Sequence, residues 1–219
     1  VFNIFFDRLR GKNEGITSII KYPLRLLAVQ QLDRVLTIIM KANAVKRTCN
    51  DIKDTTDFRV GFYVGKTNTP NKISPQETLS ERGSKGSYRN KILDSDEETL
   101  NEYYRFIDTC PVCGEKTITV SFNRERWVLE HRCSNPNCQA GVLPLFIVDN
   151  EIYRYLPSVV VSTIDKMALL GNTNEFKMLF GQVKKKCPVH GFTHTSKCLA
   201  PKCAGFPLED VGLLKDPVP

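Results

Sequence analysis

No apolar run in this sequence approaches the ~20 residues that a membrane-spanning helix needs. The longest, VLPLFIV at 142–148, has the length of a strand. The opening VFNIFFDRLRGKN is apolar only briefly and lacks a small-residue cleavage site, so it does not read as a secretion signal. An initiator Met is also missing. The chain opens with Val1, Ile4, Phe5 and Leu9 already at helical spacing and closes on GLLKDPVP, so both ends are expected to be cut edges of a longer protein. No internal repeat is evident beyond two short ligand clusters. These absences argue against a membrane partner and against a secreted, disulfide-stapled scaffold.

What is present is enough for a core: 219 residues, 41% hydrophobic and 25% charged, the balance of a globular chain rather than a disordered one. The net charge of +7, from 31 Lys plus Arg against 24 Asp plus Glu, favours polyanionic partners, although ordinary surface solvation also accounts for it.

Seven of the eight cysteines fall into two clusters. The first is Cys110-x2-Cys113, then Cys133-x4-Cys138; the second is Cys187-x2-His190, then Cys198-x4-Cys203. Each offers four soft or borderline ligands, the number that a closed tetrahedral Zn²⁺ site requires. CPVCG and CPVHG both place Pro after the first ligand and Gly after the second, which suits a tight turn aiming two side chains at one ion. Thr117, Thr119, Val120 and Phe122, then Trp127 and Leu129, alternate as the strands of a zinc ribbon would. A disulfide framework lacks a secretion signal, and a CxxC redox pair lacks its strand–CxxC–helix setting. Two Zn²⁺ ions are therefore expected, both structural, since four protein ligands leave no position for water or substrate. That also argues against a zinc hydrolase. His194 is an alternative to His190, but the Cys-x2-His spacing favours His190. His131 sits beside the first cluster, and Cys49 stands apart as a bland thiol.

The remaining segments alternate between strand and helix signals. Residues 1–10 read as a helix end and 16–21 as a buried strand. Pro23 then opens an amphipathic helix of about twenty residues, with Leu24, Leu27, Ala28, Leu32, Val35 and Ile39 on its apolar face. Its start is polar and basic at Arg25, Gln30 and Arg34. FRVGFYVGKT at 58–67 reads as a second buried strand, and 68–92 as an exposed linker rich in Pro, Gly, Ser and Lys. Ser95-Asp96-Glu97-Glu98 is a capping box for a short helix. Val159, Val160 and Val161 form a third strand, and STIDKMALL leads into a helix. This order predicts an α/β fold with a parallel sheet, interrupted by two zinc-bearing insertions.

Two strings imitate nucleotide motifs. Gly61 to Thr67 has only three residues between its glycines, and NTPN follows where a phosphate-binding loop needs a helix. In FIVDNE, Asn150 separates Asp149 from Glu151, so Asp149 is expected to cap a surface helix instead.

The order of the α/β pieces resembles the first motor domain of superfamily 2 helicases. KYPLRLLAVQQLDR (21–34) looks like motif Ia, FRVGFYVGKTNTPN (58–71) like the strand and turn that follow, and VVVSTIDKMALL (159–170) like motif Ib. YPLRLLAVQQ, VGFYVGKTNTPN, CPVCG, DNEIYR and STIDKMA together more narrowly resemble the DrmA-like helicases of DISARM anti-phage defence.

The resemblance implies a RecA-like motor divided into segments 1–71 and 146–182. Between and after them lie a linker and short helix (72–107), a ribbon insertion (108–145), a second knuckle (183–207) and a return to the motor (208–219). It also implies that Arg25, Gln30 and Arg34, with Ser162, Thr163 and Lys166, meet nucleic-acid phosphates. ATP and Mg²⁺ would then be handled only by the parent protein, a cytoplasmic ATP-dependent DNA helicase or translocase, through motifs lying outside this chain. The chain alone would be inactive, and its partners would be DNA and a subunit of a defence complex. The rival is a non-enzymatic zinc-ribbon adaptor that binds nucleic acid or protein.

Overall fold

The computed structural model describes residues 1–65, 69–73, 95–168, 174–212 and 214. Most of the expected linker, and the Lys66-Thr67 pair of the phosphate-loop-like string, lie outside them.

Three segments with continuous apolar character build the sheet, as such runs do when both faces are covered. They are β1 (Ser18–Tyr22), β2 (Val60–Tyr63) and β6 (Val159–Thr163); a short β5 (Leu145–Phe146) completes it. The order is β1-β6-β2-β5, all parallel, with Tyr22 opposite Thr163 and Tyr63 opposite Ser162. β6 and β2 are buried throughout, whereas β1 is an edge strand and only partly covered, less than its TSII run suggested.

The strand alternation divides the core. Val159 and Val161 pack with Phe62 beneath α2 (Arg25–Thr48), while Val160 and Tyr63 face α4 (Asp149–Tyr155) and a 3-10 helix (Asn174–Phe180). α2 buries Ala28, Leu32, Leu36, Ile39, Ala42 and Asn43 along one stripe. Its 24 residues outrun the expected twenty, and Pro23 stands ahead of the N-cap Leu24 rather than in the first turn. Near its end, the Asn43 side chain donates to the Phe58 carbonyl (2.9 Å) and accepts from the Phe58 amide (2.8 Å), which fixes where β2 begins. A short α1 (Phe2–Leu9) precedes β1.

The first insertion carries α3 (Glu97–Tyr104) and the antiparallel hairpin β3 (Ile118–Asn123) and β4 (Val128–Cys133). The α3 cap is Asp96, whose carboxylate accepts from the Thr99 amide, one residue later than the Ser95 box implied. After β6, α5 (Ile164–Ala168) leads to the second insertion, a three-stranded sheet ordered β8-β7-β9. Its strands are β7 (Lys185–Cys187), β8 (Gly191–Thr193) and β9 (Glu209–Asp210). β9 thus joins the zinc-bearing sheet at positions expected to return to the motor. No helix among the described residues is long and apolar enough to cross a membrane.

Candidate metal centres and the carboxyl edge of the sheet

Each cysteine cluster closes into a four-ligand group. In Cys110, Cys113, Cys133 and Cys138, and again in Cys187, His190, Cys198 and Cys203, the ligand atoms lie within 4.8 Å of one another. Bonds of ~2.3 Å to a tetrahedral Zn²⁺ set sulfurs ~3.8 Å apart. Cys110 and Cys138 are 3.7 Å apart and Cys113 and Cys133 are 3.9 Å apart, far beyond a disulfide. Replacing one sulfur by an imidazole nitrogen at ~2.0–2.1 Å shortens that edge to ~3.6 Å; Cys187 Sγ and His190 Nδ1 are separated by 3.5 Å. The donor sets therefore fit zinc in number, type and spacing.

Surrounding groups orient these ligands. The amides of Val112, Ala140 and Ala200 donate to the sulfurs of Cys110, Cys138 and Cys198 at 3.4–3.5 Å, the turn geometry that each short ligand spacing implied. The Glu115 amide holds the Cys113 thiol down at about 7, whereas burial pushes Cys110 up to about 12; a coordinating dication deprotonates both. His190 Nε2 lies 2.9 Å from the Glu125 carbonyl, which can only accept, so Nε2 carries the proton and Nδ1 keeps its lone pair for a metal. Within the second cluster the structure brings in His190 and not His194. His131 is fully buried outside the first cluster, its Nε2 donating to the Tyr104 carbonyl at 3.0 Å; burial lowers it to about 4, keeping the ring neutral. Cys49 belongs to neither group.

The two centres share a brace that sequence reasoning missed. Arg154 of α4 is wholly buried, and its guanidinium donates to the carbonyls of Arg126 and Trp127 in the β3–β4 turn and to that of His190. The Tyr155 hydroxyl bridges the Arg126 and Val189 carbonyls at 3.1 and 3.0 Å. Glu151 accepts from the Leu129 amide at 2.8 Å. Gly191 follows His190 at φ 82°, where an added Cβ would meet the Arg154 carbonyl at 2.2 Å. One helix therefore clamps both insertions. The only signal in the sequence was a charged residue set among aromatics in EIYRYL.

Asp149, expected to cap a surface helix, is instead the first residue of this buried helix. Val148 holds the cap position, and the Asp149 carboxylate pairs with Lys166. Lys166 also lies 4.7 Å from the Tyr63 ring centroid. Ser162 is fully buried and donates to the Tyr63 carbonyl at 2.8 Å; Thr163, 1% exposed, accepts from the Lys166 amide at 3.4 Å. These three side chains tie together the ends of β2, β6 and α4.

Arg25, Gln30 and Arg34 are exposed on α2. Gln30 and Arg34, four residues apart, share a face; Arg25 begins the helix, its guanidinium against Gly65 beyond β2. Because Tyr22 pairs with Thr163, the segments that begin with Pro23 and Ile164 emerge side by side at the carboxyl edge of the sheet. In open α/β sheets this is the edge that faces ligands.

No protein-family model matches the chain. Over 192 residues, 83% of its own length, it is 33% identical to the DISARM protein DrmA of Bacillus paralicheniformis. It spans 16% of that protein's length. The chain is DrmA-like over this stretch, as its motifs indicated.

Proposed function

We propose that this DrmA-like chain is the nucleic-acid-binding, zinc-bearing part of an ATP-dependent DNA helicase or translocase that acts in the cytoplasm against foreign DNA. The observation that carries the reading is the pairing of β1 with β6, which sets the segments after both strands together at the carboxyl edge. An exposed Arg25 at a helix start stands there, the combination that positions a phosphate backbone without reading bases. Gln30 and Arg34 extend the contact along α2. Thr163 and Lys166 support the edge from beneath rather than touching the strand, since both are buried. The two ligand groups hold Zn²⁺ as closed structural sites, and ATP and Mg²⁺ belong to parts of the parent protein outside this chain.

The test is binding of a fluorescein-labelled oligothymidylate by the zinc-loaded full chain across a salt series. Sequence-independent binding that weakens steeply with salt is expected. Arg25→Ala with Arg34→Ala should reduce affinity and flatten the logarithmic salt slope by about two, one for each lost phosphate contact. Binding with no salt dependence, unchanged in this variant, would remove the nucleic-acid reading and favour the protein-binding adaptor.

A further inference from the structure

A cavity of about 210 Å³ lies far from the carboxyl edge, where the start of β2 meets both insertions. Arg59, Arg126 and Lys186 reach it from three different elements, with Tyr155 on its wall. The guanidinium carbons of Arg59 and Arg126 lie 5.9 and 5.4 Å from the centroid of the Tyr155 ring, so two like charges crowd one aromatic face. The nearby carboxylates are committed elsewhere. Both oxygens of Glu14 bind Lys186 at 2.7 and 2.8 Å, Glu130 engages Arg126 and Asn123, and Asp57 engages Lys46 and Arg47. Arg59 touches the rings of Phe146 and Tyr155, and among the described residues no carboxylate or carbonyl partner is recorded for its side chain. Burial and the proximity of Arg126 both depress the Arg59 pKa, the electrostatic mark of a half-buried cation short of countercharge.

We propose that Arg59 and Arg126 form a phosphate-binding site in this cavity, separate from the carboxyl edge. A fork of N–H donors from each guanidinium suits a tetrahedral oxyanion, and a dianion neutralises both charges where a carboxylate would neutralise one. The group is either a nucleic-acid backbone phosphate, which would draw the strand across the joined zinc modules, or free inorganic phosphate. The site does not depend on the reading of the carboxyl edge.

Thermal unfolding of the zinc-loaded full chain in inorganic phosphate, against chloride at matched ionic strength, tests the shared chemistry. The wild type should melt about 2–4 °C higher in saturating phosphate. Arg59→Gln should lose that rise, and Arg59→Lys should keep part of it. Arg126→Gln, at a partly exposed position, serves if Arg59→Gln does not fold. Labelled oligothymidylate separates the sources: a roughly five- to tenfold loss of affinity in Arg59→Gln identifies a strand phosphate. Unchanged oligonucleotide binding together with loss of the phosphate-dependent rise identifies free phosphate. Failure of the Arg25 and Arg34 variant to alter oligonucleotide binding would remove the carboxyl-edge reading and leave this site standing. No phosphate-specific rise in the wild type, or an equal rise in both arginine variants, combined with wild-type oligonucleotide affinity in them, overturns the proposal.

Discussion

Glu151 is wholly enclosed, one carboxylate oxygen accepting from Leu129 and the other without a partner among the described residues. Burial raises it to about 8, so the folded chain holds at neutral pH a proton that the unfolded chain releases near 4.5. Between those two values the folded state binds more protons, and stability must therefore fall as pH rises through the window. The slope is bounded by about 1.4 kcal/mol per pH unit. Glu151→Gln keeps an acceptor for Leu129 and removes the titration. Denaturant unfolding from pH 5 to pH 8 should show the wild type losing stability while the variant stays nearly level. A parallel decline in both would place the pH dependence in another group.

At the scale of elements, α4 turns three of its side chains toward the insertions. Arg154→Met leaves the carbonyls of Arg126, Trp127 and His190 without their donor in a closed space, at a cost of about 3 kcal/mol or more. The loss should be selective. Hydrogen exchange is expected to speed up in the β3–β4 turn and around His190 while the amides of β6 remain slow; uniform acceleration would mean that the helix only supports the sheet.

This brace also marks how far the sequence could be read. The metal ligands were legible because each pair lies within a few residues and a turn suffices to aim it. β2, β6 and α2 were legible because unbroken apolar runs and helical spacing are local patterns. Asp149 and Arg154 were not, because a charged residue beside aromatic residues has the same local pattern on a surface helix as on a buried one. Only tertiary partners, Lys166 for the first and three carbonyls for the second, decide between them. Ser162 was similarly opaque: its hydroxyl serves the Tyr63 carbonyl on the neighbouring strand, and nothing local announces which strand that is.

For the molecule as a whole, the brace implies that the two metals are not independent. His190 reaches the Glu125 carbonyl in the first insertion, so emptying the second centre should loosen the hairpin of the first. Cys187→Ser is expected to lower metal content by one equivalent and to speed chelator-driven release of the other. Cys49→Ser should retain both equivalents and serve as the control. Release of the remaining metal at the wild-type rate would show that the centres are uncoupled. Since ligand binding energy here is folding energy, Cys110→Ser should also melt at a lower temperature.

The sheet order imposes a sequence of events in time. β1 and β2 do not touch; each pairs with β6, which the ribosome makes last of the three, so Ser18 must wait for Val159. The first cysteine group, by contrast, is complete by Cys138 and closes through short loops. A growing chain can therefore capture its first metal before its sheet exists. In cells starved of zinc, the half-made sheet strands would be left waiting beside an unclosed ribbon, and newly made chains, more than mature ones, would be lost to aggregation.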